Sequence, residues 1–208
     1  MGITIHYKGT IKEFSKIEEF QNEMITICQA MNWEYRLCNE DLTKSFDATL
    51  VHTEKGTEIK GHIPLKGITI VIDRNNGGMN FLFNPAGKLT SFLTEIMIHV
   101  GSIKDEHRWE FIKTQYGTVD SHVATVKLLR YIKEKFIPNL KVIDEGEYWG
   151  TNNREHLMGK RAFLAGKIAQ FGKALSLIEF EGEPTTGEII KKIEDVFRSM
   201  NKRDLNSK

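Results

Sequence analysis

Residues 109–149 read WEFIKTQYGTVDSHVATVKLLRYIKEKFIPNLKVIDEGEYW. The run opens on alternation: Trp109, Phe111, Lys113 and Gln115 share one face of a strand over residues 109–116. Gly117-Thr118 then turns into a helix that must end before Pro138, whose ring and missing N–H cannot continue it. Leu140 to Ile143 reads as another strand. A helix of about 17 residues between two strands is long enough for a crossover, so the segment predicts one parallel strand–helix–strand unit near residues 109–144.

The flanking sequence sets that unit in a different context. Residues 2–8 alternate Ile3, Ile5 and Tyr7 against Thr4, His6 and Lys8, a strand with one apolar face. Thr10 with Glu13 is a capping-box pattern. It precedes Phe14, Ile17, Phe20, Met24, Ile27 and Met31 at helical spacing. Strands are expected over 33–38, 46–53, 58–63, 66–72 and 79–83. Asn75-Asn76-Gly77-Gly78 makes a hairpin of the last two, and Asn84-Pro85-Ala86-Gly87 makes a further turn. Residues 88–107 fit either a strand or a short helix. Residues 153–178 form a long helix and Glu179–Pro184 a linker. A last amphipathic helix over 185–200, with Thr185 and Glu188 as a capping box, precedes a polar tail. The class is therefore α+β: a mostly antiparallel sheet with helices on one face and a helical C-terminus. Residues 1–178 make one domain, and 179–208 the linker, helix and tail.

Composition narrows the function. Twenty-nine basic residues balance 28 acidic ones, which argues against a nucleic-acid binder and against a polybasic membrane anchor. No window approaches the ~20 consecutive apolar residues of a membrane span. The first residues lack the apolar stretch of a secretory leader. Cys28 and Cys38 fall on a helix stripe and near a strand end, where thiols are small hydrophobes rather than a disulfide or metal pair. A cytoplasmic protein is expected. The phosphate-loop, dinucleotide, zinc-protease and serine-elbow motifs are absent, the histidines show no ligand spacing, and neither metal nor cofactor is expected.

One edge gathers the chemistry. If the two strands of the crossover are parallel, their carboxyl ends meet, which is where open α/β units commonly bind ligands. Lys113, Gln115, Thr118 and the helix N-terminus lie there, with Asp144, Glu145, Glu147, Tyr148 and Trp149. His122 lies one turn into the helix, and Val126, Leu129, Ile132 and Phe136 follow it at spacings of four, three, three and four, so it faces inward. His122 with Asp144 or Glu145 could act as a general base. Lys113 and Thr118 would bind an anion or small molecule, with Gln115, Glu147, Tyr148 and Trp149 as binding residues. For His122 the simpler reading outweighs this one, a buried histidine hydrogen-bonded to backbone or to Asp144 for structural reasons, and so it does for Tyr148 and Trp149 as anchors; a solvated Asp144–Glu147 turn stands level with the functional reading.

Thr4-Ile5-His6-Tyr7 with Gly9, Lys113-Thr114-Gln115, His122 with Leu128-Leu129-Arg130-Tyr131, and Asp144-Glu145-Gly146 with Tyr148-Trp149 resemble parts of a family of uncharacterised bacterial proteins. The family has no established activity, so the resemblance implies no reaction. The expected function is a binding or protein-interaction domain without its own chemistry. The apolar face of residues 185–200 packs on the long helix 153–178 of its own chain or, as the alternative, engages a protein partner or second copy. The alternative is a small hydrolase or transferase using the His–carboxylate pair.

Overall fold

The structure, a computed structural model, describes residues 2–54, 56–176 and 184–205. The chain divides into two compact units, residues 2–157 and the residues from Met158 onward. The first is α+β. In order it runs β1 (Thr4–Lys8), α1 (Ser15–Met31), β2 (Glu34–Asn39), β3 (Thr49–Thr53), β4 (Gly56–Lys60), β5 (Lys66–Asp73), β6 (Gly77–Phe83), β7 (Leu89–Thr90), α2 (Phe92–His99), β8 (Glu110–Lys113), α3 (Val119–Lys135), β9 (Lys141–Asp144) and α4 (Tyr148–Thr151). Two helices follow, α5 (Arg154–Ser176), whose first turn belongs to this unit, and α6 (Thr186–Leu205). The expected linker lies outside the described residues apart from Pro184.

β8, β1 and β9 form a three-stranded sheet in that order, and β2, β5, β6 and β7 a four-stranded one. β1 runs antiparallel to both its neighbours, so β8 and β9 run the same way with β1 between them. The crossover through α3 is thus parallel, as its length predicts, but it steps over a strand. The hairpin of β5 and β6 turns through Arg74–Asn76 and Gly77, whose φ of +79° suits glycine. A bridge between Thr10 and Lys88 ties the end of β1 to the chain just before β7. Residues 88–107 resolve into β7, α2 and a short 3-10 turn at Asp105–His107.

One core joins these parts. Ile5 and Tyr7 of β1, Ile17, Phe20 and Met24 of α1, Ile68 and Ile70 of β5, Phe81 and Phe83 of β6, and Val126, Leu129 and Ile132 of α3 are all fully buried together. Phe20 meets Phe81, Phe83 and Phe136 edge-on, an arrangement that adds to plain area burial. A smaller cluster collects Ile63, Leu65, Leu82 and Ile96.

Three local expectations are corrected. Thr10 does not cap α1, which begins at Ser15 after Phe14 with no side-chain cap; the Thr10 N–H instead donates to Asn139 Oδ1 at 3.1 Å. Phe14 and Met31, at the ends of the expected α1 stripe, are exposed. On β8 the buried face carries Glu110 and Ile112, whereas Phe111 and Lys113 point out, and the strand ends before Gln115. The capping box of Thr185 with Glu188 does form, each side chain meeting the other's backbone N–H.

Candidate functional site

The ring of His122 is fully buried on the first turns of α3. Its Nε2 lies 3.2 Å from Asp144 Oδ1 and 3.3 Å from Oδ2, at the carboxyl end of β9. Its Nδ1 lies 2.7 Å from Thr114 Oγ1, just past the end of β8. The Asp144 carboxylate also receives the amides of Gly146 and Trp149, each at 2.8 Å. Burial alone would raise the Asp144 carboxyl, but His122 and those two amides together hold it below the usual carboxylate range. Nε2 must present its proton to the carboxylate. Thr114 can donate to Nδ1 or, at 3.2 Å, to the Ile3 carbonyl.

A hydroxyl, an imidazole and a carboxylate in a row are the parts of a nucleophilic triad. Here the parts are shut in. Thr114 and His122 are 0% exposed, and the Asp144 side chain is 1% exposed. Gly146 runs across the imidazole so closely that a Cβ there would sit 2.8 Å from His122 Cε1 and 2.7 Å from Leu157 Cδ1. Leu157 is buried, and the edge of the ring meets Tyr148 at a centroid distance of 6.4 Å. No substrate atom reaches Thr114 Oγ1 in this arrangement.

The other expected site residues are engaged in the same seam. Gln115 Oε1 accepts the Ile3 N–H and Glu145 Oε2 the Thr4 N–H, both at 2.8 Å, so the two side chains pin the start of β1 from its two flanks. Glu145 thus stands apart from the His122–Asp144 pair. Thr118 caps α3, its Oγ1 accepting the Ser121 amide. The helix N-terminus does receive a carboxylate, but it is the protein's own: Asp73 Oδ2 accepts the Thr118 amide at 3.0 Å, and that bond leads those holding Asp73 below the usual range. Lys113 is exposed on the outer face. Glu147 adopts a left-handed backbone (φ +60°) and pairs with His156 at 2.7 Å. Tyr148 is buried, and Arg130 donates to the Tyr148 and Trp149 carbonyls and lies over both rings. Of the expected set, His122 and Asp144 are brought together; Lys113, Glu145 and Glu147 are not.

Open concavities lie elsewhere among the described residues. One, of about 230 Å³, sits at the opposite end of the three-stranded sheet, among Lys8, Thr10, Lys88, Arg108, Asn139 and Lys141. Arg108 is 7% exposed and donates to Asp105, Thr90 and Glu95. Behind it Glu110, buried, accepts from Thr94 Oγ1 and Asn80 Nδ2; desolvation raises its carboxyl despite those bonds. Another, of about 450 Å³, is an apolar groove between α1 and α3 lined by Ile27, Met31, Trp33, Val123, Leu128 and Tyr131. Among the described residues no group of three or more His, Cys, Asp and Glu side chains is placed to hold a metal ion, and no helix is long and apolar enough to cross a membrane.

Comparison of the chain with protein-family models, with curated proteins and with solved structures gives no match.

Proposed function

We propose that this chain is an intracellular binding or protein-interaction domain without chemistry of its own. The observation that carries the reading is the closure of Thr114, His122 and Asp144, whose parts fit a triad but whose surroundings admit no substrate. Buried polar groups so fully satisfied specify and rigidify a core. The two unpaired thiols agree with a reducing compartment: Cys28 is buried and pushed up to about 11 by desolvation, so it stays an inert thiol. The resemblance to a family without established activity adds no reaction to this reading.

Accessibility of His122 is the direct test. The native protein is treated briefly with diethyl pyrocarbonate and the modified histidines are located by mass spectrometry. His52 and His107, both exposed, should react while His122 stays intact. Modification of His122 at the rate of His107 would mean that the triad opens, and would favour the hydrolase or transferase reading.

The proposed partner is a second copy of the chain, engaged through α6. Ile189, Ile193 and Val196 recur on this helix at helical spacing, and Ile190 is exposed. Light scattering should show a dimer for the native chain and a monomer for Ile193→Glu; a native monomer at high concentration would sink this part.

A further inference from the structure

The pocket at the amino ends of β8 and β9 is built against its own stability. In the pairing of β1 with β9, Lys8 stands directly opposite Lys141. Directly opposed residues point to the same face, and like charges so placed destabilise a sheet. Lys88 joins them through the bridge from Thr10, and Arg108 closes the floor. Against these four cations the lining offers two carboxylates, Asp105 and Glu106, and Glu95 pairs with Arg108, so the excess rests on Lys8 and Lys141. Asp105 is held by Lys88 and Arg108, whose bonds keep it below the usual range. Lys8 lies over the Trp109 ring at 4.4 Å from its centre, with its ammonium 3.3 Å from the Glu106 carbonyl. A surplus of positive charge gathered into one concavity is the footprint of an anion site.

The size of the concavity and its neighbours narrow the anion. At about 230 Å³ the pocket is smaller than the ~300 Å³ at which small-molecule sites begin, so it holds a charged group and not a whole ligand. The same sheet face continues one residue pair along the strands. There His6 stands opposite both Phe111 and Ile143, with Phe111 54% and Ile143 55% exposed. His6 and Phe111 lie ring to ring at 6.1 Å. Residues two apart on a strand share a face at a spacing of roughly 7 Å, about the reach from a phosphate to the body of a small ester.

We propose that this face binds a small phosphate monoester carrying a flat ring, of the mononucleotide class, with the phosphate between Lys8, Lys88 and Lys141 and the ring against Phe111, Ile143 and His6. The proposal rests on the binding-domain reading and gives it a ligand class.

Calorimetry on the full chain tests it, with adenosine monophosphate, inorganic phosphate and adenosine as probes. The monophosphate should bind most tightly. Lys141→Gln and Lys8→Gln should each weaken it by about tenfold or more. Phe111→Ala should weaken the monophosphate and leave inorganic phosphate unchanged. Lys113→Gln, at the far end of the sheet, should change neither. Equal binding of inorganic phosphate and the monophosphate, with both lost in Lys141→Gln, would leave a phosphate pocket and overturn the ring platform. No binding of any probe to the native chain, or binding indifferent to Lys8 and Lys141, would overturn the proposal whole, with the closure of His122 and the binding-domain reading unaffected. Hydrolysis of p-nitrophenyl phosphate that Lys141→Gln abolishes would instead keep the anion site and overturn the reading without chemistry.

Discussion

At the carboxyl ends of β8 and β9 a threonine, a histidine and a carboxylate meet beneath a lid of backbone. At the amino ends of the same strands lysines face one another across an open pocket. Both ends collect polar groups on a three-stranded sheet, and they differ in who satisfies them. At the closed end the chain supplies the partners of the triad and of the helix start: Asp144 for His122, Ile3 and His122 for Thr114, Asp73 for the Thr118 amide. At the open end it brings Lys8 against Lys141 and meets Lys8 with a ring and a carbonyl rather than a carboxylate. Reactive residue types at a sheet edge do not by themselves mark a site; unresolved charge beside open space is the better indicator.

The comparison breaks first at Asp144. Replacing it by Ala strands a buried histidine and two amides, and loss of one partner of a buried pair costs about 3–5 kcal/mol. Urea denaturation at neutral pH should show a drop of that order. The pH dependence has a definite sign. The folded carboxyl titrates below its unfolded value of ~3.9, so its contribution is fully present above that value and is lost as pH falls through the lower, folded one. The native protein should lose stability in acid more steeply than Asp144→Asn. A flat acid limb in the native protein would mean that the bonds to the Asp144 carboxylate contribute nothing.

Gly146→Ala is the next effect in size. Its new Cβ meets His122 and Leu157 below 3 Å, and overpacking of that kind costs about 1–3 kcal/mol. A neutral substitution, together with reaction of His122 toward diethyl pyrocarbonate, would show that the lid lifts.

The sequence reveals the closed end better than the open one, and the reason is range. The depth of His122 follows from the phase of α3, since Val126, Leu129, Ile132 and Phe136 fix which side is inward. Asp144 follows from the crossover that returns the chain beside it. Thr114 carries no such signal, because a threonine at a strand end looks alike whether it faces a ring or water. Lys113 is misassigned because β8 has large side chains on both faces, and only long-range packing, with Asn80 of β6 and Thr94 of α2 on Glu110, decides that Glu110 and Ile112 go inside. Asp73, 45 residues before Thr118, reaches the helix N-terminus only through the β5–β6 turn. The opposition of Lys8 and Lys141 depends on β1 inserting between β8 and β9 in one register, which no local pattern encodes.

Glu110, behind the open pocket, sharpens the contrast by reversing the sign of the acid response. Burial raises its carboxyl, with Thr94 and Asn80 opposing. A raised folded value means that its contribution is fully present below the unfolded value of ~4.3 and is lost as pH rises through the folded one. Glu110→Gln should therefore gain on the native protein as pH rises from acid to neutral, where Asp144→Asn should lose. Parallel urea titrations of the two variants across that range would test it, and curves of the same slope would remove the distinction between the two ends.

The smallest effect is also the most specific to the open end. In buffer free of phosphate and sulfate, Lys141→Gln removes one of two directly opposed charges and no buried contact, because Lys141 is exposed. Its effect should stay within about 0.5 kcal/mol, as surface substitutions do. Its direction should be stabilising, since relief of a like-charge cross-strand pair contributes roughly 0.2–1 kcal/mol. Salt should shrink the gain, because exposed charges are screened over a Debye length of ~8 Å at physiological ionic strength. Thermal melts of the native chain and Lys141→Gln at low and at physiological salt, with Lys113→Gln as the exposed control, would read the difference. Destabilisation by Lys141→Gln at low salt would mean that Glu106 or another carboxylate already satisfies the lysine, and the open end would then be as self-sufficient as the closed one.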